Sequence, residues 1–371
     1  MRIVPVNSVK SGVLLGQNIY SENGDILLKK GAYLTEHILQ RIVENNIFTI
    51  YIDDGLIDQT IEDVIRPEVR IKAMRSIKET FKHIESFQKE MISDQTGLKQ
   101  RLNAKQMEKY MGKLKGVCEF VVDDITKNQQ LMINLVDIKN LNNHMYEHAL
   151  QVAILSAVIG IEMRLDKHQL YNLFLGAMLH DIGKLFLPKA LATQNAPLTI
   201  EESKALMGHV TMGYNYLKDN FQFEAPVRII ALQHHECFDG TGFPKGTSHD
   251  NLHVFSRIVS VCNAYDNMVS DVPGSPAITA HEALEFLMGN AGRCFDFKVI
   301  EVFTRKVNPY PVGTLVLLSN GLSACVVKDT ANFPLRPVVQ LLDMSQKKLD
   351  PQILDLMVVK DLTITSIIQN I

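Results

Sequence analysis

His180 and Asp181 stand side by side at the end of an apolar run that has the periodicity of a helix, and Gly183 and Lys184 follow at once. Burying an imidazole and a carboxylate costs several kcal/mol, about 2–7 for a polar group and more for a charge, unless a partner compensates them. A metal ion is such a partner. The pair therefore favours a fold in which neighbouring helices bring further ligands to this point.

Apolar stripes with three- and four-residue spacing carry further His or Asp residues on the same helix face. The stripes are His148 with Val152, Leu155 and Ile159; Asp181 after Leu170, Leu173, Phe174 and Ala177; His209 with Leu206, Gly213 and Leu217; His234 after Val227, Ile230 and Ala231; and Asp266 with Phe255, Val259 and Cys262. The third stripe is predicted to lie on one helix that begins with a Thr199/Glu202 capping box. One histidine on an apolar face is more often a hydrogen-bonded core residue than a ligand. Five successive helices that each carry such a group favour a metal site over a structural cluster.

The candidate metal ligands offer imidazole nitrogen and carboxylate oxygen, without a convergent cysteine, which suits manganese, iron or zinc. They are His148, His180, Asp181, His209, His234, His235 and Asp266. Two ions that share Asp181 are the economical arrangement, and such pairs activate a water and polarise a phosphoryl group. Lys184 is either a solvated cation at a helix C-terminus or, as we favour beside metals, a contact to the phosphate.

The stretch from His234 to Pro244 indicates a functional loop with a fixed backbone, since two glycines and a proline lie close together in it. Its further candidate site residues are Asp239, Gly240, Gly242, Phe243 and Pro244. Asp239 either orients a ligand histidine from outside the ligand set or forms the turn, and the two roles are compatible.

The predicted fold class is mainly α, with four parts. They are a small α+β module (1–60), a charged helical linker (61–142), a catalytic helical bundle (143–307) and a small β-rich module (308–371). In the first module Asn23-Gly24 predicts a hairpin turn and Thr35 caps a helix. The linker helices either pack on their neighbours or form a homodimer. The last module is expected to end with a strand around Leu356 to Val359.

Composition excludes several classes of function. The net charge of −3 over 371 residues gives no general attraction to a nucleic acid polymer or an anionic membrane. The N-terminus lacks the apolar core of a signal peptide, and the longest apolar stretch, about 149–163, is too short to span a bilayer. Five scattered cysteines without a CxxC pair fit reduced thiols in a cytoplasm. We therefore expect a cytoplasmic enzyme.

His148, His180-Asp181 and Asp266 resemble the ligand pattern of the HD superfamily of metal-dependent phosphohydrolases. His180 to Lys184 together with His234 to Pro244 resembles its HD-GYP subgroup, over about residues 143 to 305. The resemblance implies a bacterial cyclic di-GMP phosphodiesterase that forms pGpG and in some members GMP. It implies that the seven candidate ligands hold two or three ions, that Lys184 contacts phosphate, and that His144 occupies the position of a third-metal ligand. The flanking modules also resemble those of some HD-GYP proteins, in which they would be docking or regulatory parts for protein partners.

Two departures from the HD-GYP pattern leave the substrate open. The usual Gly-Tyr-Pro is Gly242-Phe243-Pro244, and the stretch 270–276 lacks the arginines and lysine that the family has there. Phosphate binding would then depend on the metals and Lys184, with help from Arg293, Arg228 or Lys245. Three hypotheses follow: a cyclic di-GMP phosphodiesterase, a phosphohydrolase for another cyclic dinucleotide or nucleotide, and a weakly active binding or signalling module.

Overall fold

The computed structural model describes residues 2–21, 26–45, 47, 49–55, 64–93, 98–127, 133–134, 144–188, 191, 199–270, 277–330, 332–343 and 348–368. Its contacts divide the chain into two compact units. One unit comprises Met1–Val64, Met132–Asn143 and Thr304–Ile371, and the other comprises Ile65–Leu131 and His144–Phe303. The second unit is helical and contains every candidate ligand.

The helices of the second unit run in chain order as α2 to α11, after a short α1 in the first unit. Their bounds are α2 Pro67–Ser93, α3 Leu98–Lys127, α4 His144–Glu162, α5 Lys167–Met178, α6 Ile200–Met207, α7 His209–Asn220, α8 Ala225–Gln233, α9 Val254–Met268, α10 Ala280–Gly289 and α11 Phe297–Lys306, the last crossing into the first unit. A 3-10 helix, Ile182–Phe186, follows α5.

Helix α4 is the centre of this unit, since every residue from 148 to 160 is buried. It contacts α2, α3, α5 and α9. A helix that is apolar on all sides is stable only inside a core, and each fully buried Leu or Ile contributes about 1.5–3 kcal/mol relative to exposure. His148 is therefore carried into the protein interior by the helix on which it lies.

The third predicted helix is in fact two helices, which corrects the sequence-based expectation. Thr199 caps α6 with the expected capping box to Glu202, but α6 ends at Met207 and α7 begins at His209. Gly208 lies between them and serves as the C-cap of α6. His209 thus stands just after one helix and opens the next, instead of lying within a continuous stripe.

The N-terminal part of the first unit is a small α+β module. Its strands are β1 Arg2–Pro5, β2 Leu14–Leu15, β3 Ile19–Tyr20, β4 Ile26–Leu28 and β5 Thr49–Asp53, and α1 is Glu36–Glu44. The sheet order is β1-β5-β2, with β3 and β4 as a separate antiparallel pair. The predicted turn at Asn23-Gly24 lies outside the described residues, although β3 and β4 on either side of it pair. Thr35 caps α1 by accepting a hydrogen bond from the backbone N–H of Ile38 (3.3 Å), as expected.

The C-terminal part is an antiparallel five-stranded sheet. Its strands are β8 Leu315–Leu318, β9 Ser323–Lys328, β10 Val338–Asp343, β11 Lys348–Asp355 and β12 Ile364–Ile367, in the order β11-β10-β9-β8-β12. A parallel pair, β6 Ile133–Asn134 with β7 Val307–Asn308, completes the unit. The strand expected around Leu356 to Val359 is wrong, because the carbonyl of Asp355 accepts from Val358 and Val359 and closes a turn there.

The predicted fold class is confirmed: a helical bundle with small sheets from the two ends of the chain. The four-part division stays a prediction, although α2 and α3 pack with α4 and α5 in one unit. Whether α2 and α3 also form a homodimer stays a prediction too. Among the described residues, none of the helices combines the length and the apolar content that a membrane span requires.

Candidate metal centre

Asp181 lies at the centre of a cluster of imidazoles, in the turn between α5 and the 3-10 helix. Its Oδ2 is 3.4 Å from Nε2 of His180 and 3.7 Å from Nε2 of His148. Its Oδ1 is 3.3 Å from Nε2 of His209 and 3.6 Å from Nε2 of His234. The two oxygens of one buried carboxylate thus face two separate pairs of histidines.

Three of these histidines are oriented by the same interaction, a hydrogen bond between Nδ1 and the backbone carbonyl three residues earlier. Nδ1 of His180 lies 2.6 Å from the carbonyl of Ala177, Nδ1 of His209 lies 2.6 Å from that of Leu206, and His234 repeats the pattern with the carbonyl of Ala231 at 3.1 Å. Each histidine follows the end of a helix by one or two residues. The last carbonyls of a helix have no partner within the helix, so they accept from these Nδ1–H groups.

The hydrogen bonds determine which nitrogen carries the proton when a ring is neutral. Because a carbonyl oxygen only accepts, each Nδ1 carries the proton, and Nε2 of the neutral ring is left as an acceptor. Nε2 of His209 nevertheless lies 3.3 Å from Nε2 of His234, and both face a carboxylate oxygen. Nε2 of His180 and Oδ1 of Asp181 are buried and find no hydrogen-bond partner in the described part of the chain.

The Nε2 atoms and the carboxylate oxygens of Asp181 are all acceptors, so they repel one another at these distances. A cation bound between them would attract each of them instead. Two groups have ligand atoms within 4.8 Å of one another: His148, His180 and Asp181, and Asp181, His209, His234 and His235. Both contain only nitrogen and oxygen donors. The residues present therefore fit divalent ions such as manganese, iron or zinc, with Asp181 common to both groups.

The surroundings of the cluster favour an ionised Asp181 and neutral rings at His234 and His235. Burial by itself would raise the pKa of Asp181, but Lys184 and His180 hold it well below its usual range. Nζ of Lys184 is 2.6 Å from Oδ2 of Asp181, and its side chain is 30% exposed. Burial lowers the pKa of His234 to about 3, and burial followed by His234 lowers that of His235 still further. Neutral imidazoles are the form that binds metal.

Asp266 belongs to neither of the two ligand groups but contacts one of their members, His148. Its Oδ2 lies 2.7 Å from Nδ1 of His148, so in this structure it orients His148 in the way that carboxylates commonly orient metal-binding histidines. Its own role as a ligand stays a prediction. The backbone of His144 opens α4, but its side chain lies outside what the structure describes, and a third metal site there stays a prediction as well.

The Gly-Phe-Pro loop packs directly against the cluster. The ring of Phe243 stacks on His235, with 4.8 Å between centroids and 13° between planes. A Cβ at Gly242 would lie 2.5 Å from the carbonyl oxygen of His235 and would also collide with the backbone nitrogen of Cys237. Only glycine allows this approach. Gly240 adopts a positive φ of 87°, which favours glycine for a different reason.

The carboxylates of Asp239 and Glu236 both accept hydrogen bonds from residues of this loop. The carboxylate of Asp239 accepts from the backbone N–H (2.9 Å) and hydroxyl (2.7 Å) of Thr241, which is the turn-forming role. The described residues show no hydrogen bond from Asp239 to a histidine. Glu236, which sequence reasoning missed, is buried and accepts from the backbone N–H groups of Lys245 (2.9 Å) and Thr247 (3.1 Å). Its position directly after the two histidines was the available signal.

The three candidate phosphate contacts are not joined to the cluster. Within the described residues no hydrogen bond or ion pair links the side chains of Arg228, Lys245 or Arg293 to it. Lys245 and Arg293 are exposed, and Arg228 is half-buried. Of the stretch that lacks the expected cations, only Ser270 is described. The substrate contacts outside the metal centre therefore stay predictions.

Residues 130–299 match the family model of the HD domain, a range that contains both ligand groups. This part of the chain is an HD domain. Residues 315–370 match a KOW domain associated with the HD domain, which corresponds to the five-stranded sheet. The resemblance recognised in the His-Asp pattern is thereby confirmed.

Two curated relatives are similar to the chain over about half of its length or more. The cyclic di-GMP phosphodiesterase PA4108 of Pseudomonas aeruginosa is 30% identical over 242 residues, which cover 64% of this chain and 58% of the relative. The cyclic di-GMP phosphodiesterase PdeB of Borreliella burgdorferi is 26% identical over 208 residues, which cover 56% and 55%. The chain thus spans little more than half the length of these relatives.

One solved structure shares the fold over most of its length. Bd1817, an HDG"Y"P protein from Bdellovibrio bacteriovorus, has a TM-score of 0.52 and 21% sequence identity, and the match covers 81% of this chain and 97% of that one. At this identity the likeness concerns the fold. It extends well beyond the HD domain itself.

Proposed function

We propose that this protein is a metal-dependent phosphodiesterase that hydrolyses cyclic di-GMP to pGpG, with GMP as a further product to be tested. The observation that carries the proposal is Asp181, whose two carboxylate oxygens each face a separate pair of histidine Nε2 atoms. Relatives named cyclic di-GMP phosphodiesterases support the choice of substrate.

The two ligand groups would hold two divalent ions, and we favour iron or manganese over zinc. When bound, such a pair supplies Lewis-acid polarisation of a phosphoryl group and a water of lowered pKa. The protein's own residues prepare the site. Hydrogen bonds between Nδ1 and helix-end carbonyls hold the rings of His180 and His209 with Nε2 toward the cluster, and Asp266 orients His148 through its Nδ1.

Lys184 supplies the positive charge of the polypeptide at the edge of the cluster. It is partly exposed and contacts Asp181, so it can exchange this partner for a phosphate oxygen of the substrate. A cation there stabilises the negative charge that develops on the phosphoryl group. The stack of Phe243 on His235 gives the same edge an apolar wall that limits access of water.

Hydrolysis of cyclic di-GMP by anaerobically purified, metal-loaded protein tests the proposal, with products resolved by chromatography. We expect turnover with manganese or iron, and none in the matched variants Asp181→Asn and His234→Asn. Absence of turnover with manganese, iron and zinc, under both anaerobic and aerobic conditions, would refute it.

A second candidate keeps the reaction and changes the substrate to another cyclic dinucleotide or a nucleotide. It is favoured by the absence of Arg and Lys from positions 271–276, where the HD-GYP pattern has them. A panel of cyclic dinucleotides and mononucleotides in the same assay separates the two candidates. Higher kcat/KM for a member other than cyclic di-GMP would establish the second. Tight binding of cyclic di-GMP in calorimetry without any product would instead indicate a binding module.

A further inference from the structure

Two of the five thiols differ from the other three in exposure. Cys237 and Cys294 are partly exposed, whereas Cys118, Cys262 and Cys325 are buried. Cys237 follows the histidines of the metal centre, and Cys294 lies in the turn between α10 and α11. The partly exposed thiols are therefore the ones that a dissolved oxidant can reach.

The backbone holds the segments of these two cysteines together. The N–H of Phe238 donates to the carbonyl of Cys294 (3.0 Å), and the N–H of Asp239 donates to the carbonyl of Arg293 (2.8 Å). Each cysteine Cα is two covalent bonds from an atom of the first hydrogen bond. A disulfide needs Cα atoms about 4.4–6.8 Å apart, and this pairing of backbones brings them close to that range.

Cys237 also lies at the base of the Gly-Phe-Pro loop. The close approach of Gly242 is made to the backbone of Glu236 and Cys237. Phe243, the next residue, stacks on His235. A covalent bond at Cys237 would therefore act on a segment that packs on the metal centre.

We propose that Cys237 and Cys294 form a reversible disulfide that links the Gly-Phe-Pro loop to the α10–α11 turn. The oxidant is a low-molecular-weight disulfide. One cysteine, as the thiolate, attacks a sulfur of the oxidant, forms a mixed disulfide and releases one small thiol. The second cysteine then attacks the protein sulfur, forms the Cys237–Cys294 bond and releases the second small thiol. The two protein thiols are oxidised, the oxidant is reduced to two thiols, and the two protons pass to them.

The surroundings of Cys294 affect the rate of this reaction. Burial, followed by the neighbouring Cys237, raises the pKa of the Cys294 thiol to about 11. Since the thiolate is the attacking species, formation is slow near neutral pH. A mildly alkaline buffer and long incubation are therefore the appropriate conditions.

Thiol mapping of the full-length, metal-loaded protein tests the inference without reference to catalysis. The protein is incubated with glutathione disulfide, denatured, alkylated at its remaining thiols and mapped by peptide mass spectrometry. We expect the three buried cysteines to be alkylated, a cross-linked peptide that joins Cys237 to Cys294, and recovery of both thiols after reduction. Cys237→Ser and Cys294→Ser should each abolish the cross-link and leave a glutathione adduct on the remaining partner.

Cys325→Ser is the matched control, because this buried residue lies in the C-terminal sheet and should leave the cross-link unchanged. Full alkylation of all five cysteines in the wild type, glutathione adducts without a cross-link, or a cross-link to a buried cysteine would overturn the inference. An effect of oxidation on turnover rests on the proposed function. The peptide map does not, so failure of one is distinguishable from failure of the other.

Discussion

Among the glycines that the structure describes, Gly183 is the one at which an added Cβ would meet the closest atom. It lies in the 3-10 helix directly after Asp181, against the start of α7. A Cβ added there would collide with the carbonyl oxygen of His209 and would lie 2.7 Å from its carbonyl carbon and 2.8 Å from the nitrogen of Gly213. These are all backbone atoms, so no rotamer change can relieve Gly183→Ala.

The size of the effect follows from these distances. Carbon atoms in contact are about 3.5–4.0 Å apart, so the start of α7, with His209, must move by about 1 Å relative to Asp181. Overpacking of this kind costs about 1–3 kcal/mol of stability. A displacement of about 1 Å in a catalytic constellation costs of the order of 10²-fold in rate.

Metal affinity, thermal unfolding and turnover of Gly183→Ala measure this effect. We expect a folded protein with a lower melting temperature, weaker metal binding and a rate reduced about 10²-fold. Gly289→Ala is the matched control, since nothing lies within 4 Å of the Cβ that it adds. A Gly183→Ala variant that binds metal and turns over like the wild type would refute the reasoning.

Three further predictions concern the ligand rings and the edge of the site. In metal-free protein the pKa of His234 is lowered to about 3, against about 6.5 in the unfolded chain. Between these values the unfolded state binds more protons than the folded state. The free energy of unfolding should therefore fall as the pH drops below about 6.5, by up to about 1.4 kcal/mol per pH unit. Denaturant titrations at several pH values should show a smaller change of this free energy with pH for His234→Asn than for the wild type, and an equal change would contradict the assignment. Lys184→Ala should keep its metal but lose about 10²-fold in kcat, and Lys184→Arg should retain more activity. An unchanged kcat in steady-state kinetics of Lys184→Ala would refute the proposed contact of Lys184 with phosphate. Phe243→Tyr should leave turnover unchanged because the stack on His235 remains, whereas Phe243→Leu should lose about 0.5–1.5 kcal/mol of stability in thermal unfolding; equal stability of the two would show that the stack contributes little.

Helix periodicity predicted which elements reach the site, because an apolar stripe and its ligand share one face. His148 and Asp266 are the clearest cases, since both lie within helices, α4 and α9, as expected. The HD domain could be predicted for the same reason, from residues of special chemistry at fixed spacing.

Other features depend on contacts between residues that are distant in sequence. The chain changes from α6 to α7 at Gly208, so Leu206 and His209 lie on different helices. The helical spacing of apolar residues does not predict this change in the local direction of the backbone. Nothing in the sequence places Cys294 beside Cys237, because that contact depends on how the turn after α10 returns to the loop. The substrate contacts remain the least predictable part, since the candidate cations make no described link to the cluster.

The sharing of Asp181 by two metals is the central claim, and metal content per chain tests it most directly. Elemental analysis of anaerobically purified wild-type protein and Asp181→Asn is the measurement, with circular dichroism to confirm that the variant is folded. The account predicts about two divalent ions per wild-type chain and loss of both in the single variant, because each group loses its common ligand. A wild-type protein without divalent metal, or a folded variant that keeps the full complement, would contradict it.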